Sequence, residues 1–66
     1  MKADRVEVSR DEHGNRWLVR IKVGEEFIRR HCNEPKNADE TTLRGAALKT
    51  AADEGYTVDP ENVVIL

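Results

Sequence analysis

Between Arg16 and Val23 the chain alternates without a break: Trp17, Val19, Ile21 and Val23 fall on one side, Leu18, Arg20 and Lys22 on the other. A period of two sends successive side chains to opposite faces of a strand. A helix cannot gather such a row onto one stripe. The segment therefore demands a sheet with one apolar face, and its neighbours extend that sheet. Upstream, Arg5 to Arg10 alternates in the same way, with Val6 and Val8 opposed to Arg5, Glu7 and Ser9. Downstream, Gly24-Glu25 suits a two-residue hairpin turn with glycine first. A third segment, Glu26 to Cys32, follows it.

Hairpin geometry predicts the register. A four-residue loop, Glu12 to Asn15, joins the first two strands, with Gly14 and Asn15 able to take positive φ. Val8 then faces Val19, and Val6 faces Ile21. Closing the second hairpin at Gly24-Glu25 sets Ile21 opposite Ile28 and Trp17 opposite Cys32. All these residues share one face, as a buried sheet surface requires. The other face carries Arg5, Glu7, Leu18, Arg20, Lys22, Phe27, Arg29 and His31, with Glu7 opposite Arg20 as a favourable cross-strand pair. Arg30 falls on the apolar side near the sheet end, where the periodicity offers it no partner.

Asn33 to Asn37 reads as a loop, since Pro35 disfavours helix just before it. A helix follows, from Ala38 or Glu40 to Glu54. Asn37 with Glu40 has the spacing of a capping box, and Asp39 is the rival N-cap. Gly55 stands where a helix-terminating glycine belongs. Leu43, Ala46, Ala47, Thr50 and Ala51 form one stripe, widened by Leu48 and Ala52. Gly45 costs about 1 kcal/mol relative to alanine inside a helix; it either marks a close approach or is simply tolerated. Asp59 to Asn62 is a turn with proline second. Val63 to Leu66 is a short apolar run, expected to dock in the sheet as a strand. The predicted fold is α+β, one domain over residues 1–66, in the order β-β-β-α-β. Three or four mainly antiparallel strands carry one helix on one face.

Size narrows the function. At 66 residues a domain buries only about 60% of the surface its unfolded chain exposes. Helix on sheet is the economical layer arrangement, and it leaves little room for the deep pocket a small-molecule site needs. Charged residues make up 36% of the chain, mixed in sign, which with regular apolar spacing reads as folded and soluble. No apolar run approaches the roughly 20 residues that cross a bilayer, and Met1-Lys2-Ala3-Asp4 opens no secretory signal. Cys32, the single cysteine, points to a reducing compartment, by default the cytoplasm. Residues 1–32 hold eight Lys/Arg against six Asp/Glu, and residues 33–66 three against seven, so the two halves differ in sign.

No motif carries catalysis, cofactor binding or metal ligation. There is no glycine-rich phosphate loop and no Cys/His set at zinc spacing. His31 and Cys32 are neighbours on a strand and point apart, so they cannot act as base and nucleophile. Cys32 reads as a buried small residue, and His13 and His31 as solvated. Glu25-Glu26 and Asp53-Glu54 have nothing apolar nearby to raise a carboxyl pKa. The one constellation above background is the second sheet face. Arg20, Lys22, Arg29 and His31 surround Phe27 and Leu18 there. Such a face can hold single-stranded nucleic acid by phosphate contacts and stacking, or an acidic protein with Phe27 as anchor. It can also be an ordinary solvated face. The net charge of -2 counts against nucleic acid. Asp39, Glu40, Asp53, Glu54, Asp59 and Glu61 form a second, acidic candidate surface, able to imitate a row of phosphates or occupy a basic groove, or else an ordinary solvated helix face.

The element order and texture resemble small phage-encoded anti-CRISPR proteins. The matching parts are the strand Arg16 to Val23, the alanine pairs Ala46-Ala47 and Ala51-Ala52, and the closing Asn62-Val63-Val64-Ile65-Leu66. The resemblance implies a non-enzymatic inhibitor that binds a CRISPR-Cas effector subunit inside a bacterial host cell and blocks DNA target recognition or nuclease recruitment. Val6 to Gly14, and the Asp39-Glu40 start of an alanine-rich helix, also resemble the HicB-type antitoxin domain, which would imply neutralisation of a toxin. The expected function is a protein-binding inhibitor, monomeric or dimeric, with neither cofactor nor membrane. Its partner-binding residues would be Arg20, Lys22, Phe27 and Arg29, with Arg5 and Glu7 at the edge. A small nucleic-acid-binding module and a dimerising structural subunit are the alternatives.

Overall fold

A computed structural model describes residues 1–11 and 16–66. Strands β1 (Arg5–Asp11), β2 (Arg16–Val23) and β3 (Glu26–Cys32) form an antiparallel meander. It is followed by helix α1 (Glu40–Asp53), a 3₁₀ turn (Pro60–Asn62) and strand β4 (Val63–Ile65). The sheet runs β3-β2-β1-β4, and β4 lies parallel to β1, so the sheet is mixed. The chain passes from β3 across the apolar face as α1 and returns at the far edge, the long crossover that parallel strands require.

The register follows the apolar alternation. Val8 pairs with Val19, Val6 with Ile21 and Glu7 with Arg20. Ile21 pairs with Ile28 and Trp17 with Cys32. Gly24 takes φ +63° in the β2–β3 turn, where a residue with a Cβ would be strained. Asp4 clamps that turn, its Oδ2 accepting from the Gly24 amide at 2.8 Å. The loop expected over Glu12 to Asn15, with His13, lies outside the described residues.

Val6, Val8, Val19 and Ile21 from the sheet meet Leu43, Ala47 and Ala51 from α1, and Val63 and Val58 close one side. Each fully buried Val or Ile contributes roughly 1.5–3 kcal/mol. Alanines at a spacing of four let the helix lie close on the strands. Ala52, placed by the sequence on the buried stripe, is instead exposed, because the stripe is narrower than the run of apolar letters. Asp39 is the N-cap, its Oδ1 accepting from the Thr42 amide at 2.8 Å; that bond holds its carboxyl below the ordinary range. Asn37 is therefore not the cap. Gly55, at φ +88°, ends the helix as expected. Gly45 has open space where a Cβ would stand, so no internal packing requires it.

Two couplings have no local sequence signal. The N-terminal segment runs beside residue 57: Ala3 N donates to Thr57 O at 2.7 Å and Thr57 N to Met1 O at 2.9 Å, and Ala3 is buried. Arg30 leaves the apolar side toward the helix C-terminus, where its Nη2 meets Glu54 Oε1 at 2.8 Å. Helix α1 has no basic residue in its last turn; Arg30 brings a cation to the negative end of the helix from the sheet. No described helix is long and apolar enough to cross a membrane.

Candidate functional site

Helix α1 covers one face of the sheet and leaves the other open. Because cross-strand partners share a face, the printed register orders the open face in rows. One row is Arg5, Lys22 and Phe27; the next is Val64, Glu7, Arg20 and Arg29; then come Ser9, Leu18 and His31, and last Asp11 with the exposed Arg16. All six residues singled out from the sequence therefore lie on this face.

Their electrostatic roles divide. Glu7 sits in the middle of the sheet with a side chain only 11% exposed. It is held from both sides, by Arg5 Nη2 at 3.0 Å and by the Arg20 guanidinium. A carboxylate this deep requires such pairing, because removing an ion from water costs several kcal/mol. Glu7 and its two arginines thus form an internal triad, and Glu7 is not itself presented to a partner. Arg20 turns its other side to Phe27, its guanidinium carbon 5.3 Å from the ring centroid, a cation–π distance. Its Nε is buried without a hydrogen-bond partner among the described residues.

Phe27, Lys22 and Arg29 form the outward part. Phe27 is 42% exposed. Lys22 stands opposite it, and Arg29 lies two residues along the same strand, opposite Arg20. Arg20 and Arg29 are like charges set directly across from one another, a destabilising placement in an isolated sheet. Neither Lys22 nor Arg29 has an ion-pair partner among the described residues. The corner is an exposed aromatic ring beside two cations, Lys22 and Arg29, that no carboxylate among the described residues pairs.

At the opposite end His31 Nε2 lies 2.8 Å from Asp11 Oδ2. Cys32 points to the helix side beside Trp17, half-buried, and burial pushes its thiol pKa up. The His/Cys pair is split between the two faces of the sheet. Among the described residues no three His, Cys, Asp or Glu side chains are grouped to hold a metal ion.

Most of the acidic residues expected to form a surface around the helix are engaged within the fold. Asp39 caps α1; Glu40 pairs with Arg44 at 3.1 Å, Asp53 with Lys49 at 3.3 Å, Glu54 with Arg30 and Asp59 with Lys2 at 2.9 Å. What the sequence read as an acidic patch is, apart from Glu61, one helix cap and four ion pairs.

The edges of the sheet are guarded too. Leu66 N donates to Val8 O, so alternate β4 residues turn their backbone groups outward, Val63 among them. Arg44 Nη1 caps the Val63 carbonyl at 2.8 Å and the Pro60 carbonyl at 3.1 Å. On β3 Arg30 Nη1 caps the Arg29 carbonyl at 2.7 Å. Charged side chains at an edge discourage added strands.

The chain matches no protein-family model, no curated protein and no solved structure.

Proposed function

We propose that this chain is a non-enzymatic binding domain that docks its open sheet face on an acidic protein surface and acts by occupying that surface. One observation carries the proposal: Phe27 stands exposed among Lys22, Arg29 and Arg20, and among the described residues no ion-pair partner is found for Lys22 or Arg29. Aromatic and arginine side chains anchor protein interfaces, and their unspent charge selects an acidic partner. The accessible surface totals 4410 Å², so a standard interface of about 800 Å² per partner occupies nearly a fifth of it. That is the scale of one sheet face. A single aromatic residue on this face offers little stacking for a nucleic-acid strand.

In its most concrete form the proposal is an anti-CRISPR-type inhibitor covering a subunit of a CRISPR effector complex inside a bacterial cell. Support for that form is the pattern resemblance of Arg16 to Val23, the alanine pairs and Val63 to Leu66. The test is capture of partners from bacterial lysate on the immobilised domain, with and without nuclease, at low and high salt. A protein complex that survives nuclease and weakens with salt is expected. Loss of the captured material on nuclease treatment would replace the proposal with nucleic-acid binding.

A further inference from the structure

The turn between Lys22 and Phe27 is held from outside its own hairpin. Lys22 and Phe27 are the second strand pair from that turn, after Val23 and Glu26. In a two-residue turn the flanking residues bond each other, and the amide of the first turn residue stays outside the ladder. Here that amide, Gly24 N, donates to Asp4 Oδ2 at 2.8 Å. The Asp4 amide in turn donates to the Lys22 carbonyl at 2.9 Å. Asp4 thus brackets Val23, with its main chain on one neighbour and its side chain on the other. Gly24 holds φ +63°, and the backbone twist of such a turn sets how the two strands leave it.

Asp4 is itself fixed from behind. Ala3 is 2% exposed; its amide donates to Thr57 O at 2.7 Å, and Thr57 N donates to Met1 O at 2.9 Å. Lys2 Nζ meets Asp59 Oδ2 at 2.9 Å. Met1 to Asp4 therefore form a strap, seated on the connection from α1 to β4 at one end and on the β2–β3 turn at the other. We infer that Asp4 is a positioning residue of the binding corner: by holding Gly24 and Lys22 it sets the geometry in which Lys22 and Phe27 meet a partner. The inference rests on the proposed function and adds to it a residue that need not touch the partner. A turn already held in place leaves less to be ordered on binding. The charge of Asp4 acts the other way, since a carboxylate next to a basic corner opposes an acidic partner. What Asp4 contributes is its hydrogen bonds.

The test combines amide exchange, NMR shifts and titration with polyglutamate for the wild type, Asp4→Asn, Asp4→Ala and Asp39→Ala. Asparagine and alanine remove the same charge, but the asparagine side-chain oxygen still accepts from Gly24. Asp4→Ala should speed exchange of the Gly24 amide about tenfold and displace the Lys22 amide and Phe27 ring signals. It should bind polyglutamate about threefold more weakly than Asp4→Asn. Asp4→Asn should keep the wild-type signals and bind at least as tightly as the wild type. Asp39→Ala removes the cap of α1; it should lower Tm and leave the signals and affinity of the corner unchanged. With polyglutamate bound by the wild type, equal affinity of the two Asp4 variants, or an equal loss in Asp39→Ala, overturns the inference and leaves the acidic-partner proposal standing. Unmoved Lys22 and Phe27 signals in Asp4→Ala do the same. Displaced signals in Asp4→Ala, together with no saturable polyglutamate binding by the wild type, support the positioning role and count against the acidic partner.

Discussion

The guanidinium carbon of Arg20 lies 5.3 Å from the centre of the Phe27 ring, while the same guanidinium is paired with Glu7 on its other side. One arginine thus links the buried charge of the sheet to its exposed aromatic ring. Substitutions on either side of it should have separable effects, on stability toward Glu7 and on binding toward Phe27.

Phe27→Ala should leave the fold intact, because the ring is 42% exposed and packs on Arg20, not in the core. Partner affinity should fall by about 2 kcal/mol, roughly thirtyfold, if the ring is an anchor. Circular dichroism with a binding titration checks both halves. Wild-type affinity for the variant would remove Phe27 from the interface.

Glu7→Ala should act in the opposite way, costing about 2–3 kcal/mol of stability. It leaves Arg20 against the sheet without its carboxylate, beside an Nε that already lacks a partner among the described residues. Glu7→Gln should cost less, since the amide oxygen still accepts a hydrogen bond. Urea denaturation with a common slope measures the difference. Equal midpoints for all three proteins would mean that the triad contributes nothing.

Gly45→Ala should stabilise the domain by about 1 kcal/mol, a rise in Tm of about 4–8 °C for a domain of this size. A Cβ there meets no atom within 4 Å, and the backbone is helical, so nothing opposes the gain in propensity. A lower Tm would show that the glycine is structurally required after all.

Asp39 predicts part of the acid response. The Thr42 amide bond, the larger cause, and the Thr42 side chain lower its carboxyl pKa in the folded protein. A group depressed on folding stabilises above its unfolded pKa, about 4, and that contribution is lost as pH falls through the folded value. Asp39→Asn keeps a good cap and should flatten the acid limb of the stability curve; Asp39→Ala should lose stability already at neutral pH. Parallel pH profiles for wild type and Asp39→Asn would contradict the assignment.

Much of this architecture is legible in the sequence where periodicity and short turns govern. Trp17, Val19 and Ile21 mark the buried face, and a two-residue turn at Gly24 with a four-residue gap after Asp11 places Glu7 against Arg20. The helix and its terminating glycine follow from capping chemistry, though only the fold decides between Asn37 and Asp39. What is not legible is long-range. Nothing local places β4 beside β1, brings Ala3 to Thr57 or sends Arg30 to Glu54, because these pairings depend on how distant elements meet. The same holds at the site. Its six residues could be assigned to one face from alternation alone. That Glu7 and Arg5 are consumed in an internal pair, while Lys22 and Arg29 have none among the described residues, depends on geometry across strands. The place of Val64 on the same face depends on knowing which strand β4 joins.

The central claim is that the Phe27 corner of the open sheet face, and not the charge of the protein at large, binds an acidic protein partner. The most direct measurement compares nuclease-treated lysate capture by three folded proteins. These are the wild type, Lys22→Glu/Arg29→Glu, and Lys36→Glu/Lys49→Glu, which makes the same change in net charge away from the face. The account predicts that the wild type and the Lys36/Lys49 variant retain one protein partner and that the Lys22/Arg29 variant loses it. Equal capture by all three, or equal loss in both variants, would contradict it.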